Sequence, residues 1–430
     1  DGVPVTADDV IFSINTASNP AVKVQDPSTL RDIVGATDGG LWAEGASGLS
    51  GVKKVDDHTL TIETKNKITL NAFLLTLGQW IRPFPKHIVE KIEPENIVKS
   101  EFFQKPNVTN GAMKFKEYVP SQYLALEANE TYFKGRPKID ALNFKILSGT
   151  QITAQLESGE VDLNFPGVGY LPQDDYERLE KMPHINAKFG KPGNVQNLFY
   201  NTKVLNNVKL RQAMDLAIDR ESILKNVCKG YARMTKTPVT NQIEYYNEGA
   251  AQWKFDLEAA KKLLDESGWD KKKQITFLVP TGNATRERVC TVVAENFKTL
   301  GLNVVIDKKD FPTTLASVQK KDYEISIIGI PDIPLNIIQW MRFYFHSQMG
   351  WTNYNNPRAD KLYDILTQSV DAAEIKAAYY ELQDILGRDL PVDGLYSEIA
   401  MCAVNKRLSP NVELFEYGGL SDLEQWDIVE

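Results

Sequence analysis

Apolar and polar positions switch between two periods along this chain, most sharply at 197–230, NLFYNTKVLNNVKLRQAMDLAIDRESILKNVCKG. Leu198, Phe199 and Tyr200 are strand formers, and 201–207 is rich in turn residues. Leu210, Ala213, Met214, Ala217 and Ile218 then follow the i, i+3, i+4, i+7, i+8 spacing that puts one face of a helix on a core. Asp219 can cap a second helix that buries Ile223, Leu224, Val227 and Cys228 and stops at Gly230. Upstream, Thr6 and Asp9 have the form of a capping box, and Val10, Ile11 and Ile14 give the apolar face of a helix from about Ala7. Residues 36–51 read as a long Gly- and Ser-rich loop, a ligand-binding segment or a plain edge cover, and 52–64 as a hairpin turning at Asp56 and Asp57. An apolar helix at 69–77 leads into a loop holding Trp80, which suits a pocket wall and a core position equally.

Residues 124–128 and 142–147 read as strands, and a helix at 151–158 leads to the loop 165–170. From 255 to 330 the two periods alternate. Asp256 caps a helix ending at Gly268, a strand follows at 275–279, and the helix at 284–300 buries Val289, Val292, Val293, Phe297 and Leu300. A strand at 302–306, a short helix opened by Pro312 and a strand at 323–330 complete the run. Strands joined by helical crossovers predict a largely parallel sheet with helices on its faces, and ligands gather beyond the carboxyl ends of such strands, here 280–283 and 329–332. Further helices are expected at 359–369 and 373–386.

Composition narrows the reading. A chain of 430 residues suggests two or three domains at roughly 100–200 residues each. No apolar run approaches the ~18 residues of a membrane helix; 68–77 is the longest and carries polar residues. A net charge of −8 argues against nucleic acid as partner, since phosphate backbones draw on clustered Lys and Arg. Cys228, Cys290 and Cys402 are isolated, and His58, His87, His184 and His346 share no ligand spacing, so no metal site and no cofactor are expected. No nucleophile elbow, P-loop or dinucleotide fingerprint occurs. Carboxylate pairs suited to glycoside hydrolysis could form in space among 57 acidic residues, which leaves a secreted hydrolase as an unsupported alternative.

Four stretches in order, DGVPVTADDVIFS (1–13), LALEANETYFKGRPKIDAL (124–142), the YNT…RQAM…AIDR run at 200–220 and FDLEAAKKLLDESGW (255–269), resemble the family 5 extracellular solute-binding proteins, the peptide, nickel and opine receptors of bacterial ABC importers. The PKHIV and GWTNYNNP segments at 85–89 and 350–357 are similar to the family as well. The family's Gly-Thr-Gly-Pro-Tyr turn is represented at 107–115 by Gly111 alone. The resemblance implies an α/β, two-lobed periplasmic-binding-protein-like fold of type II, cluster C-like, with an extra small subdomain. Its segments would be a small subdomain at 1–108, a first lobe at 109–198 and 388–430, and a second lobe at 199–387. It implies a monomeric receptor, not an enzyme, that captures a small solute by hinge closure and hands it to a membrane-embedded ABC permease. Its location would be extracytoplasmic, in the periplasm or lipid-anchored on the outer face of the membrane, with N-terminal sequence preceding Asp1. A short peptide is the first expectation; an oligosaccharide, opine or metal chelate is the alternative. The cleft residues expected are Trp80, Phe165 and Val168 from one side and Asn197, Asp332, Trp351, Asn353 and Tyr354 from the other, each with a packing role as its alternative. In the family's peptide receptors an acid after the strand equivalent to 324–329 pairs with the ligand's α-amino group. That position here is Ile330, so Asp332 takes over, or the ligand is anchored elsewhere, or it carries no free amine.

Overall fold

Helices begin where the sequence supplies a side-chain acceptor for the free backbone N–H groups of a first turn. Thr6 and Asp9 cap the helix Ala7–Ser18 reciprocally, with Thr6 N donating to Asp9 Oδ2 at 2.8 Å. Asp256, Asn283 and Asp310 cap Leu257–Ser267, Ala284–Leu300 and Phe311–Gln319, and the first two stop at Gly268 and Gly301 in the left-handed conformation. Asn356 and Asp371 cap Pro357–Gln368 and Ala372–Asp389. Two expected helices come out differently. The apolar run from 69 is helical at Leu70–Phe73 and widens into a π-turn at Leu74–Gly78, and the second half of the 208–228 pair is a short helix, Arg220–Ser222, followed by a π-turn at Ile223–Val227.

The computed structural model describes the chain except residues 25–26, 69, 79–80, 167–168, 236, 242, 251–253, 332–336, 413–419, 421 and 430. It divides into two units, 1–146 with 421–428 and 147–420 with 429–430. The first unit holds the hairpin β1 (Val52–Asp56) and β2 (Thr59–Ile62), and the antiparallel sheet β3 (Met113–Val119), β4 (Tyr123–Ala128) and β5 (Ala141–Lys145). Ile14, Leu30, Ile33, Leu49, Val52 and Leu77 form its main apolar cluster.

The second unit is built on eight strands: β6 (Ile185–Phe189), β7 (Asn194–Tyr200), β8 (Ala232–Met234), β9 (Gln274–Pro280), β10 (Asn303–Lys309), β11 (Ile325–Pro331), β12 (Val392–Glu398) and β13 (Met401–Asn405). Six of them form a sheet in the order β10-β9-β11-β7-β12-β8, while β13 pairs with β6. The expected parallel sheet exists at β10-β9-β11; β7 is antiparallel to β11 and to β12, and β8 to β12, so the whole is mixed. Alternation sorts the side chains. Leu198, Tyr200, Ile275, Phe277, Ile325, Ile327 and Tyr396 pack under helices Val208–Leu216, Leu257–Ser267 and Ala284–Leu300. Phe199, Leu278, Ile328, Ile330 and Val392 pack on the other face, with Ile337–Phe345, Pro357–Gln368 and Ala372–Asp389.

Two passages leave this sheet at one end, side by side. Residues 190–193 join β6 to β7 and residues 399–400 join β12 to β13, and Gly190 N donates to Ala400 O at 3.0 Å between them. Beyond them, β6 and β13 carry Ile185, Met401 and Ala403 into a separate cluster with Ile152, Leu156, Leu171, Tyr176 and Leu179. The expected boundary at 198/199 falls inside β7.

Candidate functional site

Where the sheet meets the two passages, the carboxyl ends of β9, β11 and β12 and the amino end of β7 gather polar side chains that the apolar core cannot satisfy. Asn194 and Gln196 from β7 and Glu398 from β12 share the face that carries Leu198 and Tyr396. The first turn of helix Ala284–Leu300 adds Asn283 and Arg286, and all five except Asn194 are less than about a tenth exposed. Gly329 of β11 makes room for them. A Cβ there would stand 2.7 Å from Asn194 Oδ1 and 2.7 Å from Gln196 Nε2, closer than any carbon tolerates.

Asn283 both caps its helix and donates through Nδ2 to Glu398 Oε1 at 3.0 Å. Burial pushes the Glu398 carboxyl above its ordinary range, against the opposing pull of Asn283, Arg286, Gln196 and Tyr396. Glu398 Oε2, Arg286 Nε, Asn194 Oδ1 and both polar atoms of Gln196 are buried without a well-formed hydrogen bond. Each such atom costs about 1–3 kcal/mol when nothing answers it.

The loop at 164–173 reaches this cluster from the β6/β13 side. Asn164 ties it to β13, donating to Met401 O at 3.0 Å and accepting from Ala403 N at 2.8 Å. Tyr170, on that loop, accepts through its hydroxyl from Asn194 Nδ2 at 2.9 Å, and burial raises its phenol well above the usual value. Nearby, Asp174 pairs with Lys229 and with Arg288, each at 2.5 Å, and these two cations hold its carboxyl below the usual range. Phe189 of β6 stacks on Tyr231 with centroids 5.5 Å apart and planes 7° from parallel.

The residues expected from sequence are dispersed. Trp80, Val168 and Asp332 lie outside the described residues. Phe165 is half-buried in the loop that carries Tyr170, and its carbonyl accepts from Gly169 N at 2.7 Å. Asn197 is fully buried in mid-strand on the other face of the sheet, its Nδ2 donating to Val195 O at 3.1 Å. Trp351 is packed in the apolar layer, stacked on Phe343 at 4.3 Å and tilted on Phe199. Tyr354 is buried there too, its hydroxyl donating to Asp389 Oδ2 at 2.5 Å. Asn353 donates to Asn201 Oδ1 at 2.9 Å, just past the far end of β7. That end lies roughly 20 Å along the strand from Asn194, so the structure does not bring Trp351, Asn353 and Tyr354 to the cluster. What sequence reading missed is Tyr170, Asn194, Gln196, Arg286 and Glu398. Asn283 fell within the expected strand end, and the one local signal for Glu398 was a carboxylate inside the apolar run at 395–404.

Comparison with known proteins places this arrangement. The model of bacterial extracellular solute-binding proteins, family 5 Middle, matches residues 1–351. Oligopeptide-binding protein AppA of Bacillus subtilis strain 168 is 26% identical over 453 residues, which cover 99% of this chain and 78% of that protein. The structure of AppA from Bacillus subtilis in complex with a nonapeptide superposes with a TM-score of 0.84 at 23% identity, covering 100% of this chain and 85% of that one. NikZ from Campylobacter jejuni in complex with Ni(L-His) gives a TM-score of 0.84 at 22% identity, covering 99% and 85%. The α/β fold class expected from the sequence, that of the periplasmic binding proteins, is the one these structures share. Among the described residues, no helix is long and apolar enough to cross a membrane, and no group of three or more His, Cys, Asp or Glu could hold a metal ion.

Proposed function

We propose, from the premise that this chain belongs to the bacterial extracellular solute-binding proteins of family 5, that it is the extracytoplasmic receptor of an ABC importer and captures a short peptide by closure about the passages 190–193 and 399–400. It acts as a receptor and not as an enzyme, and it delivers the peptide to a membrane permease from the periplasm or from a lipid anchor. Within the second unit the moving parts are 147–189 with 401–412 on one side and 194–398 on the other.

The observation that carries this reading is the set of orphaned buried polar atoms at the end of the sheet beside the passages, on Asn194, Gln196, Arg286 and Glu398. A fold retains such atoms where something else partners them. The set mixes donors and acceptors, which suits the alternating N–H and C=O groups of a peptide backbone better than a uniformly charged solute. Arg286 stands beside Glu398, so the carboxylate is no isolated anchor for an ammonium, and Asp332 remains the proposed partner of a free α-amine. A solute that touches Tyr170 from one part and Gln196 or Asn283 from the other binds the shut form better than the open one, which is what drives closure. The Asp174 pairs with Lys229 and Arg288 add a clasp between the same two parts. The likeness to AppA supports the peptide; the likeness to NikZ, together with Ile330 where the family's acid is expected, supports a metal chelate as second reading.

Unfolding the purified protein and identifying what it releases by mass spectrometry tests this directly. The expected result is a set of short peptides that, returned to refolded protein, raise its melting temperature without being cleaved. Release of a sugar or chelate alone, or catalytic turnover of peptide, would overturn it.

A further inference from the structure

At the opposite end of the six-stranded sheet, past Tyr200, a wide recess opens between the turn that follows β7, the loop after helix Leu257–Ser267 and the end of helix Phe311–Gln319. Its walls carry Lys203, Lys273, Lys320 and Lys321 and include neither Asp nor Glu. In a chain of net charge −8 that is a local reversal of sign. Asp322 adjoins Lys321 in sequence but is not part of the wall, and the other acids near the lysines are engaged elsewhere: Glu324 accepts from Thr276 N at 2.6 Å, Asp270 from Lys272 N at 2.9 Å, and Glu266 pairs with Lys209 at 2.9 Å.

The recess is built on a fixed frame. Asn201 donates to Tyr323 O at 2.8 Å and Lys321 O at 3.1 Å and accepts from Asn353, which places Asn353 in this wall. Lys273 rests its ammonium 4.9 Å over the ring of Trp269, and the indole Nε1 is buried without an acceptor. Ammoniums sharing a recess repel one another until an anion enters, and an orphaned indole N–H calls for an acceptor.

We propose that this recess binds the phosphate group of an anionic ligand. The phosphate oxygens accept from Lys203, Lys320 and Lys321 and draw Lys273 off the face of the Trp269 indole. The shared chemistry is a phosphate oxyanion, whether free in solution or on the headgroup of a membrane lipid. The site lies away from the polar cluster at the passages, so it stands or falls independently of peptide capture.

The test uses the full chain, titrated with inorganic phosphate against chloride at constant ionic strength while tryptophan emission is followed, and in a second arm sedimented with phosphatidylglycerol or phosphatidylcholine vesicles. The expected result is a saturable, phosphate-dependent emission change that is lost in Trp269→Phe and weakened about tenfold or more in Lys320→Gln/Lys321→Gln, with the melting temperature of both variants held. Cosedimentation with phosphatidylglycerol alone, abolished by the double variant, assigns the headgroup; an emission response without cosedimentation assigns soluble phosphate. If neither arm saturates, or if the double variant responds as the parent does, the proposal is wrong.

Discussion

Two buried charge clusters sit in the same sheet-and-helix layer of the second unit, and they are finished to different degrees. Around Arg220 the guanidinium donates to Asp215 Oδ1 at 2.5 Å and to both oxygens of Asp393 at 2.7 Å, so two distant parts of the chain meet on one cation. Burial and the neighbouring Asp215 push the Asp393 carboxyl well above its usual range against the pull of Arg220, and of these three side chains Asp215 alone has an oxygen, Oδ2, without a partner. Around Glu398 the bonding is sparser: Asn283 donates to Glu398 Oε1, Asn194 to Tyr170 and Arg286 to Pro280 O, while orphaned atoms remain on Asn194, Gln196, Arg286 and Glu398 itself. The Arg220 set is thus nearly complete within the fold. The less complete set lies beside the two chain passages, where the proposed function puts the solute.

The largest effect that would break this contrast is at Arg220. Arg220→Ala leaves two buried carboxylates facing each other, and the expected loss is about 3–5 kcal/mol, read as a lower urea midpoint with unchanged slope. A near-neutral result would place the Arg220 cluster on the unfinished side of the comparison. Glu398→Gln is expected to act in the opposite sense. Because the folded carboxyl is raised, the wild type's stability from this group is full below the ordinary glutamate value of about 4.3 and is lost as pH rises through the folded value. The variant, with nothing to ionise, therefore matches the wild type in acid and gains on it towards neutral pH, in paired melting curves across that range. Smallest is Asp174→Asn, which removes two ion pairs that are well exposed. About 1 kcal/mol or less is expected, seen as a several-fold weaker solute affinity at low salt that converges on the wild type at high salt. The lowered Asp174 carboxyl gives the same sign by another route, its contribution being present above the ordinary aspartate range and lost as pH falls through the folded value.

Local chemistry was legible in the chain. Thr6, Asp256 and Pro312 announced helix starts, Gly268 announced a stop, and the alternation from 255 to 330 announced β9, β10 and β11, because each signal acts over a few residues. The placement of β7 against both β11 and β12 was not legible, since it rests on pairing between Asn194 and Glu398, about two hundred positions apart in sequence. The site suffered from the same limit. Asn353 and Tyr354 sit in a segment similar to the family's, yet similarity along the chain does not say which end of a sheet a loop reaches, and they reach the end away from the passages. Glu398 was one acid among many, and its character comes from burial set against the pull of Asn283, Arg286, Gln196 and Tyr396, none of which is its neighbour but Tyr396. Gly329 carried no message either until Asn194 and Gln196 were seen to fill the space a side chain would need.

The central claim is that the unfinished cluster is where the solute is held. Calorimetric titration of the released solute into the wild-type chain and into Gln196→Ala tests it most directly. The account predicts affinity reduced about tenfold or more in the variant, with its unfolding midpoint held or raised; equal affinity in the two proteins would contradict it.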